Sequence, residues 1–160
     1  QCKGCDILSD YTPMPSRCYV FDIDGTLADL THRRHYVERA PKNWKAFNAA
    51  MAGDPPIDHV CDLARTLSQS HPIVYCSGRG DDNRMLTMEW LRDVARVPWG
   101  PLYMRKAKDY RPDDVIKHEL LLRMRLEGYA PIMAFDDRDR VVKMWRENGI
   151  PCAQVAEGDC

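Results

Sequence analysis

The 160-residue sequence lacks any hydrophobic run near the ~18 residues of a membrane-spanning helix, which excludes a transmembrane protein. It has only 9 glycines and 11 prolines, too few for a collagen-like or low-complexity chain. An excess of one charge is also missing, because 23 basic residues stand against 24 acidic ones. The total charge therefore neither requires nor excludes a nucleic-acid partner, and only its distribution along the chain is informative.

The seven cysteines are an odd number and are scattered along the chain, which does not indicate a disulfide framework. Several lie in apolar segments, where cysteine behaves as a small buried hydrophobe. No signal peptide opens the sequence, so we expect a reducing, cytoplasmic location. Cys2 and Cys5 have the spacing of half a zinc site, but no second pair follows, so we expect no zinc. The first residue is Gln1, and we expect an excised domain.

Alternating strand and helix patterns predict an α/β fold. Short apolar runs predict parallel strands, because such runs are typical of strands that are covered on both faces. These strands are expected at 18–22, 73–76, 102–104, 132–135 and 153–155. Amphipathic patterns predict helices within 58–69, 82–94, 113–128 and 141–149. The alternation indicates a Rossmann-like parallel sheet with helices on both faces.

Residues 31–54 interrupt this alternation. The segment is rich in basic residues, namely Arg33, Arg34, Arg39, Lys42 and Lys45. We expect a small helical, cap-like insertion over the C-terminal edge of the sheet, where open α/β sheets bind ligands. Tyr36, Trp44 and Phe47 could stack on bases, which makes the segment a candidate nucleic-acid surface. The alternative interpretation, which the sequence favours equally, is that the segment is a basic face in contact with solvent only.

Acidic and hydroxyl side chains follow three of the predicted strands. Asp22 ends the first and Asp24 follows it, Ser77 follows the second, and Asp136 follows the run at 132–135. Because the C-terminal ends of parallel strands share one edge, these groups are expected to converge. Three carboxylates would supply oxygen ligands for Mg²⁺, and Ser77 and Lys117 would hold phosphate oxygens. Each piece alone is typical of a turn, a calcium loop or a helix cap, but together they favour phosphate chemistry.

The motif Phe21-Asp-Ile-Asp-Gly-Thr-Leu27 resembles the first motif of the haloacid dehalogenase superfamily of phosphotransferases. Ser77, Lys117 and the pair Asp136-Asp137 resemble its second, third and fourth motifs, in the same order. The resemblance extends over nearly the whole chain from Cys18 onward. It implies a Mg²⁺-dependent phosphatase with a phosphoaspartyl intermediate.

More specific motifs resemble the phosphatase domain of phage T4-type polynucleotide kinase-phosphatases. They are Ser77-Gly-Arg79, Arg105 separated by eleven residues from the lysine of Val115-Ile-Lys117, Phe135-Asp-Asp-Arg138, Val141-Val-Lys-Met-Trp145 and Gln154-Val-Ala-Glu-Gly-Asp159. The resemblance implies removal of 3′-phosphates from polynucleotide ends. Two features depart from the pattern: this chain has no phosphate-binding kinase loop, and the insertion at 31–54 is longer. We expect residues 1–17 to be an N-terminal extension, such as a linker remnant, and 18–160 to be the phosphatase domain.

The resemblance also implies a role for each matching residue. Asp22 corresponds to the nucleophile, and Asp24 corresponds to the general acid and then the general base. The expected metal ligands are Asp22, Asp24 through its carbonyl, and Asp136. Ser77 and Lys117 would hold the phosphoryl oxygens as charge develops.

Six further residues are carried over by the resemblance. Asp137 would bind a metal-bound water or orient Lys117. Three arginines would contact substrate phosphate or brace the acidic cluster. The residues assigned to substrate binding are Thr26, Gly78, Arg79, Arg105 and Arg138.

These expectations define one preferred function and two alternatives. The preferred function is a Mg²⁺-dependent phosphatase that removes 3′-phosphates from DNA or RNA ends in nucleic-acid repair. A kinase domain upstream, or a stand-alone phage or bacterial relative, fits this interpretation. The first alternative is a phosphatase for free nucleotides or other small phosphomonoesters. The second is a nucleic-acid-binding module without activity, which the intact acidic residues disfavour.

Overall fold

Five strands form a single parallel sheet. A computed structural model of the chain describes residues 12–158. The strands are β1 (Ser16–Phe21), β2 (Ile73–Gly80), β3 (Leu102–Arg105), β4 (Tyr129–Asp136) and β5 (Cys152–Gln154). Their order is β3-β2-β1-β4-β5, and every neighbouring pair is parallel. β4 begins earlier than its apolar run predicts, because Tyr129 pairs with Ser16 at the start of β1. All five predicted strands are confirmed.

Six helices connect the strands. They are α1 (Thr31–Glu38), α2 (Trp44–Ala49), α3 (Asp58–Leu67), α4 (Arg84–Asp93), α5 (Asp113–Leu126) and α6 (Asp139–Glu147). The helices α3 to α6 confirm the four predicted helices. Gly128, just after α5, has a φ of +92°, a conformation that glycine adopts without strain and that ends the helix.

Each face of the sheet carries two helices. Leu121 of α5 and Trp145 of α6 pack in one hydrophobic cluster with inward residues of β1, β2 and β4. Cys61 of α3 and Trp90 of α4 pack in a second cluster on the other face. This confirms the predicted α/β sheet with helices on both faces. The cysteines at 18, 61, 76 and 152 are buried and free, as the apolar context of these residues predicted.

The segment 31–54 is helical, and both of its ends are anchored in the protein. It contains α1, α2 and a 3₁₀ turn at Met51–Gly53. Trp90 of α4 donates its indole N–H to the carbonyl of Asp54 over 2.9 Å. Arg33 is completely buried and stacks over the Phe47 ring, 4.2 Å from its centroid. The interpretation of Arg33 as part of a basic surface is therefore wrong, because its side chain is buried. Phe47 is one of the residues expected to stack on bases, but its ring already packs against Arg33 inside the segment.

The N-terminal end of the described chain enters the sheet at Ser16. Strand β1 therefore includes Ser16 and Arg17, which the sequence placed in the N-terminal extension. Cys2 and Cys5 lie outside the described residues. Across residues 12–158, none of the helices has the length and apolar character needed to cross a bilayer.

Candidate active site

The loop after β1 brings two carboxylates to the C-terminal edge of the sheet. Asp22 follows the last residue of β1, and its amide donates to the Phe135 carbonyl of β4 over 3.0 Å. The Ile23 carbonyl then accepts the amides of residues 26–28, which closes a tight turn. Gly25 in this turn has a φ of +84°, and a Cβ there would lie 2.1 Å from the Asp137 carboxylate. Glycine is therefore required where the β1 and β4 loops meet.

A buried lysine joins the carboxylates of β1 and β4. Lys117 of α5 donates to Asp22 Oδ1 over 2.6 Å and to Asp136 Oδ2 over 2.7 Å. The hydroxyl of Thr26 donates to the other oxygen of Asp22 over 3.0 Å. Asp22 therefore has both oxygens fixed, and the Thr26 hydroxyl donates to this carboxylate. Burial would lower the pKa of Lys117, but Asp136 and then Asp22 outweigh burial and hold the pKa well above its usual value.

Three buried carboxylates converge beside Lys117. Oxygens of Asp22, Asp136 and Asp137 all lie within 4.8 Å of one another. Burial, followed by repulsion from Asp136, raises the pKa of Asp22 well above its usual value and raises that of Asp137 to about 6. In the described part of the chain, Asp137 Oδ1 is buried without a hydrogen-bond partner. An all-oxygen donor set with an unsatisfied buried oxygen fits a hard divalent cation such as Mg²⁺.

The Asp24 carboxylate faces arginines instead of this acidic cluster. Arg79 donates to both of its oxygens over 3.0 and 2.7 Å, and Arg33 donates to Oδ1 over 2.7 Å. Both arginines also bind Asp54, which is 1% exposed. Burial would raise the pKa of Asp24, but Arg79 and then Arg33 outweigh burial and lower it. The Asp24 carboxylate therefore lies outside the acidic cluster, whose third member is Asp137, and metal binding through the Asp24 carbonyl stays a prediction.

The Ser77-Gly-Arg79 motif lies at the end of β2 beside these groups. Ser77 is buried, and its Oγ accepts the amide of Arg79 over 3.1 Å. Its hydroxyl can still donate to a phosphoryl oxygen. A Cβ on Gly78 would lie 3.0 Å from the Asp113 carboxylate, so glycine allows the start of α5 to approach the motif.

Arg105 and Arg138 both bind the carboxylate of Asp113. Arg105 also donates to the carbonyl oxygens of Gly78, Asp109 and Arg111 over 2.7, 2.8 and 2.6 Å. Four hydrogen bonds therefore occupy the guanidinium of Arg105, so it braces the loops around the site. Arg138 has a half-exposed side chain with 51% accessibility, and it remains open toward solvent.

The site thus joins Asp22, Ser77 and Lys117 at the edge of the sheet to a cluster of acids and a network of arginines. Comparison with known proteins shows the family to which the chain belongs. A family model described as the polynucleotide kinase PNKP phosphatase domain matches residues 16–160. The chain belongs to this family.

Two relatives are similar to most of this phosphatase domain. A putative bifunctional polynucleotide kinase/RNA ligase from Autographa californica nuclear polyhedrosis virus is 30% identical over 137 residues, which are 84% of this chain and 18% of the viral protein. The solved Pnkp1/Rnl/Hen1 RNA repair complex contains a chain with 31% identity and a TM-score of 0.77, matched over 91% of this chain and 44% of that chain. The phosphatase domain therefore spans less than half the length of these relatives.

A more distant structure shares the fold alone. CbbY from Rhodobacter sphaeroides, solved with phosphate, is 13% identical with a TM-score of 0.60, covering 91% of this chain and 87% of that chain. The family places this chain among the phosphatases of the haloacid dehalogenase type.

Sequence reasoning missed three residues of this phosphatase site. Arg33 and Asp54 come from the insertion, where their charges look like part of a solvated polar segment. Asp113 begins α5 and resembles an ordinary helix-start carboxylate. In the structure, Arg33 and Asp54 belong to the hydrogen-bond network around Asp24. Asp113 binds both Arg105 and Arg138. Only the spacing of Asp113, four residues ahead of Lys117 on one face of α5, could have indicated a shared location.

Proposed function

We propose that this phosphatase domain removes 3′-phosphates from polynucleotide ends through a phosphoaspartyl intermediate on Asp22. The arrangement of Asp22 carries the proposal, because Lys117 and Thr26 fix both of its oxygens at the edge of the sheet. A carboxylate held in one orientation can attack phosphorus without a large reorganisation. Ser77 and Lys117 are then available to the phosphoryl oxygens.

The first step transfers the phosphoryl group to the protein. A carboxylate oxygen of Asp22 forms a bond to phosphorus, and the bond between phosphorus and the 3′ oxygen breaks. That oxygen takes a proton from the carboxyl group of Asp24. In the second step water attacks phosphorus, Asp24 takes its proton, and the bond to Asp22 breaks to release inorganic phosphate. The two aspartates thus divide nucleophilic and acid–base work.

The pKa of Asp24 sets a condition on the first step. Arg79 and Arg33 lower this pKa in the unliganded chain, so Asp24 is ionised at neutral pH. A bound phosphate dianion would add negative charge beside Asp24 and raise its pKa, which favours protonation when the leaving oxygen needs a proton. The ionised form is the one required to accept a proton from water.

The acidic cluster of Asp22, Asp136 and Asp137 would hold Mg²⁺. When bound, Mg²⁺ would neutralise charge between the cluster and the phosphoryl oxygens. The ammonium group of Lys117 lies between Asp22 and Asp136, where its positive charge offsets part of the repulsion between these two carboxylates.

Two features favour a polynucleotide over a small phosphomonoester. The family and both similar relatives are named for polynucleotide or RNA end chemistry. The insertion, which contacts Asp24 through Arg33, also carries exposed basic residues, namely Arg39, Lys42 and Lys45. Nucleic-acid end repair, in company with kinase or ligase activities, is the context we propose.

The test compares substrates under defined metal conditions. We expect release of phosphate from a 3′-phosphorylated oligonucleotide with Mg²⁺, and none with EDTA. A 5′-phosphorylated oligonucleotide and a 3′-mononucleotide serve as matched substrates. Equal kcat/KM for the oligonucleotide and the mononucleotide would favour a phosphatase of small phosphomonoesters over a polynucleotide 3′-phosphatase. Full activity in EDTA would reject the metal-assisted mechanism.

Two matched variants test the roles of the aspartates. Asp22→Asn retains the side-chain shape and should abolish turnover of every phosphomonoester. Asp24→Asn should reduce oligonucleotide turnover about a hundredfold or more, because the leaving alkoxide needs a proton. p-Nitrophenolate leaves without one, so Asp24→Asn should give a burst of one nitrophenolate per protein and then stall. Steady wild-type turnover by Asp24→Asn would refute its acid–base role.

A further inference from the structure

An exposed tyrosine lies on the loop between β3 and α5, beside the Ser77-Gly-Arg79 motif. Tyr110 is 89% exposed and has no hydrogen bond or ring contact to any other residue in 12–158. An aromatic ring left in solvent contributes nothing to the hydrophobic core, because apolar area stabilises a fold when it is removed from water. The ring is therefore available to a ligand.

The backbone on both sides of Tyr110 is fixed. Arg105 donates to the carbonyl of Asp109 before it and to the carbonyl of Arg111 after it, over 2.8 and 2.6 Å. The Arg111 side chain also binds Asp109 and reaches Glu119 on α5 over 2.6 and 2.8 Å. Tyr110 is thus presented outward from a braced loop, which lowers the entropy cost of placing a ligand against its ring.

The same guanidinium ties this loop to the phosphate motif. Arg105 donates to the Gly78 carbonyl over 2.7 Å, and Gly78 lies between Ser77 and Arg79. The Ala107 amide donates to Asp81, just after β2. The loop that carries Tyr110 therefore lies at the rim of the site.

The loop also carries two lysines whose side chains have no partner among residues 12–158. Lys106 and Lys108 are exposed, and neither has an ion pair within the described range of the chain. An exposed ring on the same loop as two unpaired cations fits a chain of bases and phosphates, because bases stack on aromatic side chains while cations hold the backbone. A free mononucleotide has no flanking phosphates for these lysines, and other small phosphomonoesters have no base for the ring either.

We propose that Tyr110 is a stacking platform for a base at the 3′ end of a bound polynucleotide. This inference rests on the proposed 3′-phosphatase function and makes Tyr110 a specificity-determining residue of that reaction. Tyr110 takes no part in bond making, so its contribution is confined to substrates that carry a base near the terminal phosphate.

The experiment compares Tyr110→Ala, Tyr110→Phe and a control, Trp99→Ala. Trp99 is 83% exposed and precedes the first residue of β3, at the edge of the sheet opposite the site. For a single-stranded 3′-phosphorylated oligonucleotide, Tyr110→Ala should raise KM about tenfold. Tyr110→Phe and Trp99→Ala should match wild type. All three variants should hydrolyse p-nitrophenyl phosphate at the wild-type rate.

Abasic substrates identify the ligand of the ring. An oligonucleotide that lacks its last two bases but retains its 3′-phosphate should show a raised KM with wild type, and Tyr110→Ala should raise it no further. Replacing Lys106 and Lys108 by Ala should reduce the dependence of log KM on log salt by about 0.7 for each phosphate that these lysines neutralise.

Two outcomes would overturn the inference while leaving the proposed function intact. One is wild-type KM for Tyr110→Ala on the oligonucleotide. The other is an equal loss on p-nitrophenyl phosphate, which would make Tyr110 a structural residue. Failure of the proposed function is separate, because it would appear in wild type as no preference for the oligonucleotide over the mononucleotide.

Discussion

The arginine network around Asp24 gives a prediction about stability as well as activity. Arg33 is fully buried, and three hydrogen bonds of 2.7 Å join it to Asp24 and Asp54. Removal of one partner from a buried ion pair costs about 3–5 kcal/mol, because the other charge remains without compensation. Asp54 retains His32 at 2.7 Å and Arg79 at 3.2 Å, so we expect the lower end, about 3 kcal/mol, for Arg33→Met.

Urea unfolding followed by circular dichroism measures this loss. Arg39→Met is the matched control, since Arg39 is exposed on the same segment and should change stability by less than ~0.5 kcal/mol. A double-mutant cycle with Asp54→Asn should give a coupling of about 1.5 kcal/mol or more. Wild-type stability of Arg33→Met would refute the burial of a paired arginine at this position.

The same substitution should move the pH profile of activity. Arg33 contributes to the lowered pKa of Asp24, so its removal should raise that pKa. Ionised Asp24 accepts the proton of water in the proposed second step. The acidic limb of kcat should therefore shift to higher pH in Arg33→Met, and an unchanged limb would separate Arg33 from the acid–base chemistry.

Three further predictions concern the cluster, the turn and the insertion. Burial and Asp136 raise the pKa of Asp137 from 3.8 to about 6, so the metal-free native chain holds a proton that the unfolded chain releases. The free energy of unfolding should therefore fall as the pH rises from about 4 through 6, and Mg²⁺ or Asp137→Asn should flatten this slope. Gly25→Ala should abolish phosphatase activity through its clash with Asp137, whereas Gly128→Ala, with φ positive and open space, should cost about 1 kcal/mol and remain active. Replacing the exposed basic residues Arg39, Lys42 and Lys45 by Ala should raise KM for oligonucleotides and not for p-nitrophenyl phosphate.

Each of these predictions has a result that would contradict it. A pH-independent free energy of unfolding in EDTA would mean that Asp137 is ionised in the native chain. An active Gly25→Ala protein would mean that the β1 and β4 loops can separate without loss of function. Equal losses on both substrates in the triple variant would assign the insertion surface to folding rather than to substrate binding.

The sheet and the convergence of acids were predictable because both follow from local patterns. Apolar runs between amphipathic helices are sufficient to predict a parallel sheet, and such a sheet brings its C-terminal ends to one edge. The sequence pattern alone therefore predicts that Asp22 and Asp136 lie close together. Lys117 could be proposed as a phosphate ligand, but its burial between Asp22 and Asp136 could not, because nothing in the local pattern of α5 distinguishes a buried lysine from a solvated one.

The arginines were harder to predict, since the partners of an arginine depend on tertiary contacts. Arg33 and Arg34 are neighbours in one basic run, but only Arg33 is fully buried. Arg105 has the motif position of a substrate ligand, yet loop carbonyls and Asp113 occupy its donors. The sequence identified Arg105 as a motif residue and Arg33 as part of a basic run. The groups that these arginines bind depend on tertiary contacts between loops, which the sequence pattern does not indicate.

The insertion is attached to the site through its two ends. Arg33 near its start and Asp54 at its end bind each other, and both belong to the network that holds Asp24 and Arg79. Helix α2, which lies between them, contributes no ion pair to this network within residues 12–158, and it contacts the network through the stacking of Phe47 on Arg33. A change in the length of the middle can therefore leave Asp24 in place, whereas a change at either end cannot. The ends of the insertion therefore help to hold Asp24, the proposed acid–base residue, and its exposed middle makes no contribution to that contact in the described part of the chain.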